Sequence, residues 1–483
     1  MNCHLGIGLA QVVMLIPYFF FIQKGTIVET IAAISTGLTN SGISIIRISG
    51  PEAFFIMDQI FRSKTGKKRL SEQKTHTIHY GFIVNGDEVI DEVLVSVMRA
   101  PHTYTAEDVA EINCHGGLLV TKKVLNTVLC HGAKMAEPGE FTKRAFLNGR
   151  IDLSKAEAVM EVIRAKSDLA LKSSVSKLQG SVKKEISEIR EKLIRHTALI
   201  EAALDDPEHI SLEGFTDELK KSIIEIRNRL NRLIISAETG RLLKEGIRTV
   251  ILGKPNVGKS SLMNVFAGEE RAIVTDIAGT TRDTIEETVV IRGISLSLID
   301  TAGIRTTEDA VEQIGVEKAK QAANDADLIL YLVDAVCGLS KEDEEILSGL
   351  KEKKVLILAN KTDLLEQSSS KELEEKTGCR VISISAKTEA GIDEVYETIE
   401  QMFFQKEISY NEEYYITGER QKQALQNAND ALLKVMESIE AGLPEDFFSI
   451  DLMQAYESLG EITGESVDED LVNTIFREFC MGK

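Results

Sequence analysis

The feature that most constrains the fold is a glycine-rich loop at residues 253–260, with the sequence GKPNVGKS. It fits the pattern G-x-x-x-x-G-K-[ST] and lies between an apolar run at residues 249–252 and a helical pattern. Such glycines let backbone N–H groups approach phosphates, and the helix N-terminus adds partial positive charge. Lys259 would reach the β- and γ-phosphates, and Ser260 would bind Mg²⁺. A chance glycine loop is the alternative, which the strand and helix on either side disfavour.

The segment around this loop, residues 246–403, alternates apolar runs with helical patterns. This alternation is typical of a mostly parallel α/β sheet with Ras-like organisation. The predicted strands are residues 249–252, 288–291, 296–299, 328–333, 355–359 and 381–384.

A second motif, DTAG at residues 300–303, closes one of these apolar runs. It would place Asp300 near the Mg²⁺ shell and the Gly303 N–H near the γ-phosphate. The next residue is Ile304, where Ras-like proteins carry the glutamine that orients the attacking water. Water must therefore be positioned from elsewhere. The nearby carboxylates, each of which can also be read as a solvated helix charge, are Glu308, Asp309 and Glu312.

Between these motifs lies the sequence TDIAGTTRD at residues 275–283. A threonine in this position normally binds Mg²⁺ and senses the γ-phosphate. Thr281 is the best candidate, and Thr280 is the second.

Two loops after later strands predict guanine recognition. The first is NKTD at residues 360–363, where Asp363 can accept two hydrogen bonds that guanine donates and adenine does not. The second is SAK at residues 385–387, whose backbone N–H groups would contact the guanine O6 edge. In this order the motifs predict a GTPase. The predicted nucleotide-binding residues are Asn256, Val257, Gly258, Lys259, Ser260, Ser261, Thr275, Asp276, Ile277, Ala278, Gly279, Thr280, Thr281, Asp300, Thr301, Ala302, Gly303, Asn360, Lys361, Asp363, Ser385, Ala386 and Lys387.

The length, net charge and cysteine content of the chain limit its number of domains and the classes of function open to it. The 483 residues predict about three domains. A net charge of -20 argues against nonspecific coating of nucleic acid, although it leaves a local nucleic-acid site open. The six cysteines include no Cys-x-x-Cys pair, which disfavours a disulfide framework or a zinc finger and favours a cytoplasmic location.

The N-terminal extension, residues 1–24, contains an apolar run at residues 5–22. An anchor or a signal sequence is one interpretation. The run lacks a basic n-region and a cleavage site, and Pro17 interrupts it. We expect a dispensable extension or a start-site artefact, and no stable membrane association.

The rest of the chain divides by pattern. Residues 25–147 mix short strands (27–34, 43–48 and 88–97) with helices such as 118–129, which predicts an α+β domain. Residues 148–245 and 404–483 are helical, and one long amphipathic helix is predicted from Val175 to Leu204. These patterns predict a GTPase domain, residues 246–403, inserted into a helical domain.

The sequences DIAGTTRD at residues 276–283 and CMGK at residues 480–483 resemble the MnmE (TrmE) family of tRNA-modification GTPases. The resemblance runs from residue 26 to residue 483. It is supported by RISG at 47–50, YTAED at 104–108, HGG at 115–117 and PGEFTKRAFLN at 138–148.

The resemblance implies that the N-terminal domain binds a tetrahydrofolate derivative and forms a homodimer. Its folate site maps to Arg47, Glu111, Arg150 and Lys483. It also implies joint action with the FAD-binding MnmG protein, as a heterotetramer, on carbon 5 of the wobble uridine of certain tRNAs. The tRNA would be bound mainly through that partner, and the one-carbon unit would come from a methylene-tetrahydrofolate.

The same resemblance implies a potassium ion in place of an arginine finger. Its ligands map to Asn256, Thr275, Thr280 and the backbone oxygen of Ile277, and the water-orienting carboxylate maps to Glu312. Activation would follow dimerisation of two GTPase domains.

Three positions of this resemblance need separate comment. Lys254 lies where the family usually has arginine. The segment before the Arg47 strand is glycine-rich in the family, whereas here it reads TNSG at residues 39–42, with a single glycine. Cys480 is a candidate catalytic thiol, with a small buried residue as the alternative.

A different class of function stays open. A GTP-dependent switch for ribosome assembly would share the GTPase motifs and perform no modification. The folate-like domain and the C-terminal Cys-x-Gly-Lys sequence favour the tRNA-modification interpretation.

Overall fold

The computed structural model describes residues 29–268, 287–299, 323, 325–350, 353–365, 370–404, 415–465, 467, 469–477, 479–480 and 482. The chain divides into two compact units. The first comprises Met1–Ile151 with Asp468–Lys483, and the second comprises Asp152–Val467. The sequence assigned the last residues to the helical domain, whereas the structure groups them with the N-terminal unit.

The first unit is an α+β structure, as the sequence predicts. Among its described residues, seven strands form one sheet in the order β3-β4-β5-β6-β2-β1-β7, antiparallel except for the β1–β7 pair. Its elements are β1 (Ile31–Ile34), β2 (Ile43–Ser49), α1 (Ala53–Ile60), β3 (Phe61–Ser63), a 3-10 turn (Leu70–Glu72), β4 (Thr77–Asn85), β5 (Glu88–Met98), β6 (Val109–His115), α2 (Leu118–Cys130), β7 (Lys134–Met135) and α3 (Glu140–Leu147).

Strand β2 shows how this sheet separates its core from its candidate site. Ile46 and Ile48 are fully buried in the cluster that α1 and α2 cover. Because side chains alternate between the faces of a strand, Arg47 lies on the opposite face. The sequence alternation therefore places an arginine on the face opposite α1 and α2, where Phe141 of α3 lies against it.

The second unit contains the helical elements and the nucleotide-binding sheet. Its elements are α4 (Leu153–Arg164), α5 (Asp168–Gln179), α6 (Ser181–Asp205), α7 (Phe215–Glu245), β8 (Ile247–Gly253), α8 (Lys259–Gly268), β9 (Glu287–Ile291), β10 (Ile294–Leu298), β11 (Leu328–Asp334), α9 (Lys341–Ser348), β12 (Lys354–Asn360), a 3-10 turn (Thr362–Leu364), α10 (Ser370–Thr377), β13 (Arg380–Ser383), α11 (Ile392–Phe403), α12 (Glu419–Glu440) and α13 (Asp446–Thr463). A last helix, α14 (Glu469–Arg477), belongs to the first unit.

The sheet of the second unit confirms the mostly parallel arrangement. In the described residues its order is β13-β12-β11-β8-β10-β9, and only the β9–β10 pair is antiparallel. Strand β11 is buried along its length: Leu330 and Leu332 face one apolar cluster, and Ile329 and Val333 face another. Burial on both faces explains the continuous apolar runs in the sequence.

The predicted long helix from Val175 to Leu204 is wrong at one position. The chain breaks at Gly180, which has a φ of +98° and separates α5 from α6. The amphipathic pattern continues through the break because both helices present an apolar face, so periodicity alone could not locate it. No helix within the described ranges is long and apolar enough to cross a membrane.

Candidate functional site

The phosphate-binding loop lies tightly against its neighbouring strands. Gly253 has a φ of +144°, and a Cβ there would lie 2.4 Å from the Leu332 carbonyl oxygen. Gly258 has a φ of +101°, and a Cβ there would lie 2.2 Å from Asn360 Nδ2. Only glycine avoids both the backbone strain and these clashes. The loop conformation therefore requires the two glycines of the motif.

Lys259 reaches back over the loop that it terminates. Its Nζ donates to the carbonyl oxygens of Gly253, at 2.5 Å, and Lys254, at 2.8 Å. Burial lowers the pKa of Lys259. A phosphate at this position would offer charged acceptors to the same ammonium group, which binds them more strongly than neutral carbonyls.

The start of α8 offers side chains for a cation. Ser260 and Ser261 are exposed in its first turn. Asn256, the predicted potassium ligand, is exposed in the loop with a φ of +59°. A hydroxyl and an amide oxygen are suitable ligands for Mg²⁺ and potassium respectively.

Lys254 anchors the phosphate-binding loop to helix α9, a contact that the sequence did not predict. Its Nζ donates to Ser340 Oγ at 2.6 Å and pairs with Glu342 at 2.8 Å. Ser340 in turn forms a capping box with Asp343. The only sequence signal was the lysine at this position of the loop.

The predicted guanine loops are joined to each other and to the phosphate-binding loop through Asn360. Its Nδ2 donates to the Val257 carbonyl at 2.8 Å, and its Oδ1 accepts from the Ala386 N–H at 2.9 Å. Ser385 Oγ donates to Asp363 Oδ1 at 2.8 Å. The structure thus brings the described members of three sequence motifs into one site.

Lys361 has a left-handed backbone conformation in the guanine loop and is ion-paired with the end of β11. It has a φ of +68°, and its Nζ lies 2.7 Å from Asp334 Oδ2. Lys387, which follows the second guanine loop, is exposed.

Several predicted residues lie outside the described residues. They are Thr275, Asp276, Ile277, Ala278, Gly279, Thr280, Thr281, Asp300, Thr301, Ala302, Gly303, Glu312 and Lys483.

A second candidate site occupies the first unit, on the sheet face opposite α1 and α2. Arg47 of β2 pairs with Glu111 of β6, with Nε 2.8 Å from Oε1, because the two residues are register partners. The Tyr104 ring contacts both arginines, with its centroid 5.3 Å from Arg47 Cζ and 5.0 Å from Arg150 Cζ. The structure therefore gathers three of the four residues predicted for folate.

Tyr104 was not predicted as a site residue. Its ring attracts the guanidinium groups through cation–π contacts and fixes the distance between them. Two guanidinium forks at one aromatic ring fit a ligand with carboxylate or carbonyl acceptors.

The C-terminal segment reaches the same arginine. The carbonyl oxygen of Gly482 accepts from Ser35 Oγ at 3.1 Å and from Arg47 Nη1 at 3.5 Å. The Gly139 N–H donates to the Cys480 carbonyl at 3.3 Å, and Cys480 is half-buried. Lys483, the fourth predicted folate residue, directly follows Gly482 in the sequence.

The parallel sheet, its phosphate-binding loop and its guanine loops together define a P-loop GTPase. Comparisons with known proteins extend this class to a family. The family model described as "MnmE helical domain" matches residues 153–480, and "GTP-binding protein TrmE N-terminus" matches residues 30–150.

Several relatives with similar sequences carry one name, "tRNA modification GTPase MnmE". The protein from Lachnoclostridium phytofermentans is 59% identical over 94% of this chain and 99% of its own length. Those from Acetivibrio thermocellus and Clostridioides difficile are 49% and 48% identical, over the same shares of both chains. The chain belongs to the MnmE (TrmE) family.

Proposed function

We propose that this protein is the GTP-hydrolysing subunit of the cytoplasmic complex that adds a carboxymethylaminomethyl-type group to carbon 5 of the wobble uridine of certain tRNAs. The one-carbon unit would come from a tetrahydrofolate derivative bound in the first unit. The protein would act as a homodimer, together with the FAD-binding MnmG protein in a heterotetramer.

The observation that carries the proposal is the convergence on Arg47. Glu111, Tyr104 and the C-terminal Gly482 all contact this arginine in the first unit. A simple GTP-dependent switch has no need for a paired arginine site next to a cysteine-bearing tail. Arg47 and Arg150 would bind the acceptor groups of the folate.

The GTPase part of the proposal rests on the second unit. Lys259 would bind the β- and γ-phosphates, Asp363 would recognise guanine, and Mg²⁺ would be held by Ser260 and Thr281. Potassium would be held by Asn256, Thr275, Thr280 and the Ile277 backbone oxygen. Bound there, potassium would supply the positive charge that an arginine finger supplies elsewhere. Glu312 would orient the attacking water once two GTPase domains face each other.

The test is mass spectrometry of tRNA nucleosides from a deletion strain. We expect the carbon-5 modification of the wobble uridine to disappear and to return with the wild-type gene. Complementation with Arg47→Ala should restore GTP hydrolysis and leave the uridine unmodified. Unchanged tRNA together with immature ribosomal subunits in the deletion strain would overturn the proposal.

A further inference from the structure

The first unit carries a concentration of positive charge that the GTPase and folate sites do not use. The segment of residues 62–74, here called the basic loop, begins in strand β3 at the edge of the sheet. It holds one acidic residue, Glu72, in a chain whose net charge is -20. Its exposed basic residues are Arg62, Lys64, Lys67, Lys68, Arg69 and Lys74.

The structure pairs these charges with no carboxylate among the residues it describes. In the part of the chain that the structure describes, none of the six basic residues forms an ion pair with a carboxylate, whereas Lys123 and Lys134 of the same unit do. Burial, with a smaller contribution from the Lys68 charge, lowers the pKa of His79.

The backbone of the basic loop is held in place by a buried side chain and by hydrogen bonds. Leu70 is fully buried and anchors the loop in the core. Asp58 accepts from the N–H groups of Leu70, at 2.6 Å, and Ser71, at 3.2 Å. On the other side, Arg99 Nε donates to the Gln73 carbonyl at 3.0 Å. A loop ordered in advance loses less entropy when it binds a partner.

We propose that the basic loop binds the phosphate backbone of the tRNA substrate directly. This inference rests on the proposed function and assigns part of the tRNA contact to this chain. Lysine and arginine contacts to phosphates position a nucleic acid without reading its sequence. Because the rest of the chain is acidic, RNA would be attracted at the loop and repelled elsewhere.

A membrane surface is the other polyanion that such a loop could meet. Membrane-binding basic segments usually insert apolar side chains next to their charges. Leu70 is the one apolar residue of the basic loop, and its side chain is fully buried in the core. The loop therefore offers charge without an inserting group, which favours RNA over lipid.

The test compares the full chain with the triple variant Lys67→Gln, Lys68→Gln and Arg69→Gln. The probe is an in vitro transcript of a tRNA with uridine at the wobble position, and its Kd is measured by fluorescence anisotropy between about 50 and 200 mM KCl. The logarithm of the binding constant falls linearly with the logarithm of the salt concentration. Each lost phosphate contact makes this slope shallower by about 0.7–0.9, so the loss of three contacts makes it shallower by about two to three. We expect this loss of slope and at least about tenfold weaker binding at the lowest salt.

The matched control removes the same charge from the same unit. The triple variant Lys122→Gln, Lys123→Gln and Lys134→Gln changes three exposed lysines outside the basic loop. We expect it to keep the wild-type slope. Equal losses in both triple variants would show an effect of net charge and would overturn the proposal, as would no loss in either.

Two further measurements separate this proposal from its alternatives. Vesicles of phosphatidylcholine and phosphatidylserine are the lipid probe. If the basic-loop variant loses binding to these vesicles but binds tRNA as the wild type does, the ligand of the basic loop is a membrane and the proposal is wrong. GTP hydrolysis by the basic-loop variant should equal that of the wild type. A wild-type chain that hydrolyses GTP but never modifies tRNA contradicts the proposed function, while the salt slope still decides the basic loop.

Discussion

Asn360 is the residue whose loss should disturb the nucleotide site most. Its side chain is 3% exposed and makes two hydrogen bonds, one to the Val257 carbonyl and one from the Ala386 N–H. Each is worth about 1 kcal/mol, so Asn360→Ala removes about 2 kcal/mol of loop organisation. If nucleotide binding must restore that geometry, the affinity falls by about 30-fold, at 1.4 kcal/mol for each factor of ten.

The assay is equilibrium titration of the full chain with fluorescent GDP and GTP analogues. Asn427→Ala is the control, because Asn427 is exposed on helix α12 and accepts its hydrogen bond from Gln423. We expect Asn360→Ala to lower the affinity for GDP and GTP by a similar factor. Asn360 joins the phosphate-binding loop to the second guanine loop, and both nucleotides would contact these loops through their phosphates and base. Asn427→Ala should bind them as the wild type does.

The reasoning fails on a specific result. If Asn360→Ala binds GDP and GTP within about threefold of the wild type, less than about 0.7 kcal/mol has been lost. The two loops would then keep their positions without the asparagine, and the linking role assigned to it would be wrong.

The remaining predictions concern base recognition, the cation and the buried charges of the helical elements. Asp363→Asn should weaken the binding of GTP by about a hundredfold, because guanine loses its hydrogen bonds to a charged acceptor. In a direct competition assay the variant should bind XTP in preference to GTP. KCl should stimulate GTP hydrolysis at least about tenfold over NaCl at equal ionic strength, a small part of the 10³–10⁵ that an arginine finger supplies, and Asn256→Ala should abolish the difference. Equal rates in the two salts would exclude the potassium site. Lys177→Met should lower the free energy of unfolding in urea by about 3 kcal/mol, because it leaves the Glu161 carboxylate buried without its ammonium partner. Lys192→Met, at the exposed pair with Glu225, should cost less than about 1 kcal/mol.

Local patterns predicted the nucleotide-binding sheet well. The apolar run at residues 328–333 became β11 (Leu328–Asp334), and the run at 355–359 became β12 (Lys354–Asn360). Parallel strands that are buried on both faces have uninterrupted apolar sequences, so their positions can be predicted from a single sequence. The motif order then placed Lys259, Asn360 and Ser385 at the same edge of this sheet.

Contacts between residues far apart in the sequence could not be predicted from local patterns. Arg47 and Gly482 are 435 residues apart, yet they are hydrogen-bonded. Only the family resemblance linked Arg47 to the C-terminus, and it included Tyr104 in the YTAED motif without giving it a role in the folate site. The anchoring of Lys254 by Ser340 also depends on how β8 and β11 pair, which periodicity does not encode.

The central claim is that one chain couples GTP hydrolysis to modification of the wobble uridine. It is tested most directly by reconstitution of the purified protein with an MnmG-type partner, a tRNA transcript, methylene-tetrahydrofolate, glycine and ammonium as nitrogen donors, and a nucleotide, followed by mass spectrometry of the wobble nucleoside. The account predicts a uridine modified at carbon 5 with GTP in KCl, and an unmodified uridine with GDP. An unmodified uridine in the presence of active GTP hydrolysis, or equal modification with GDP, would contradict it.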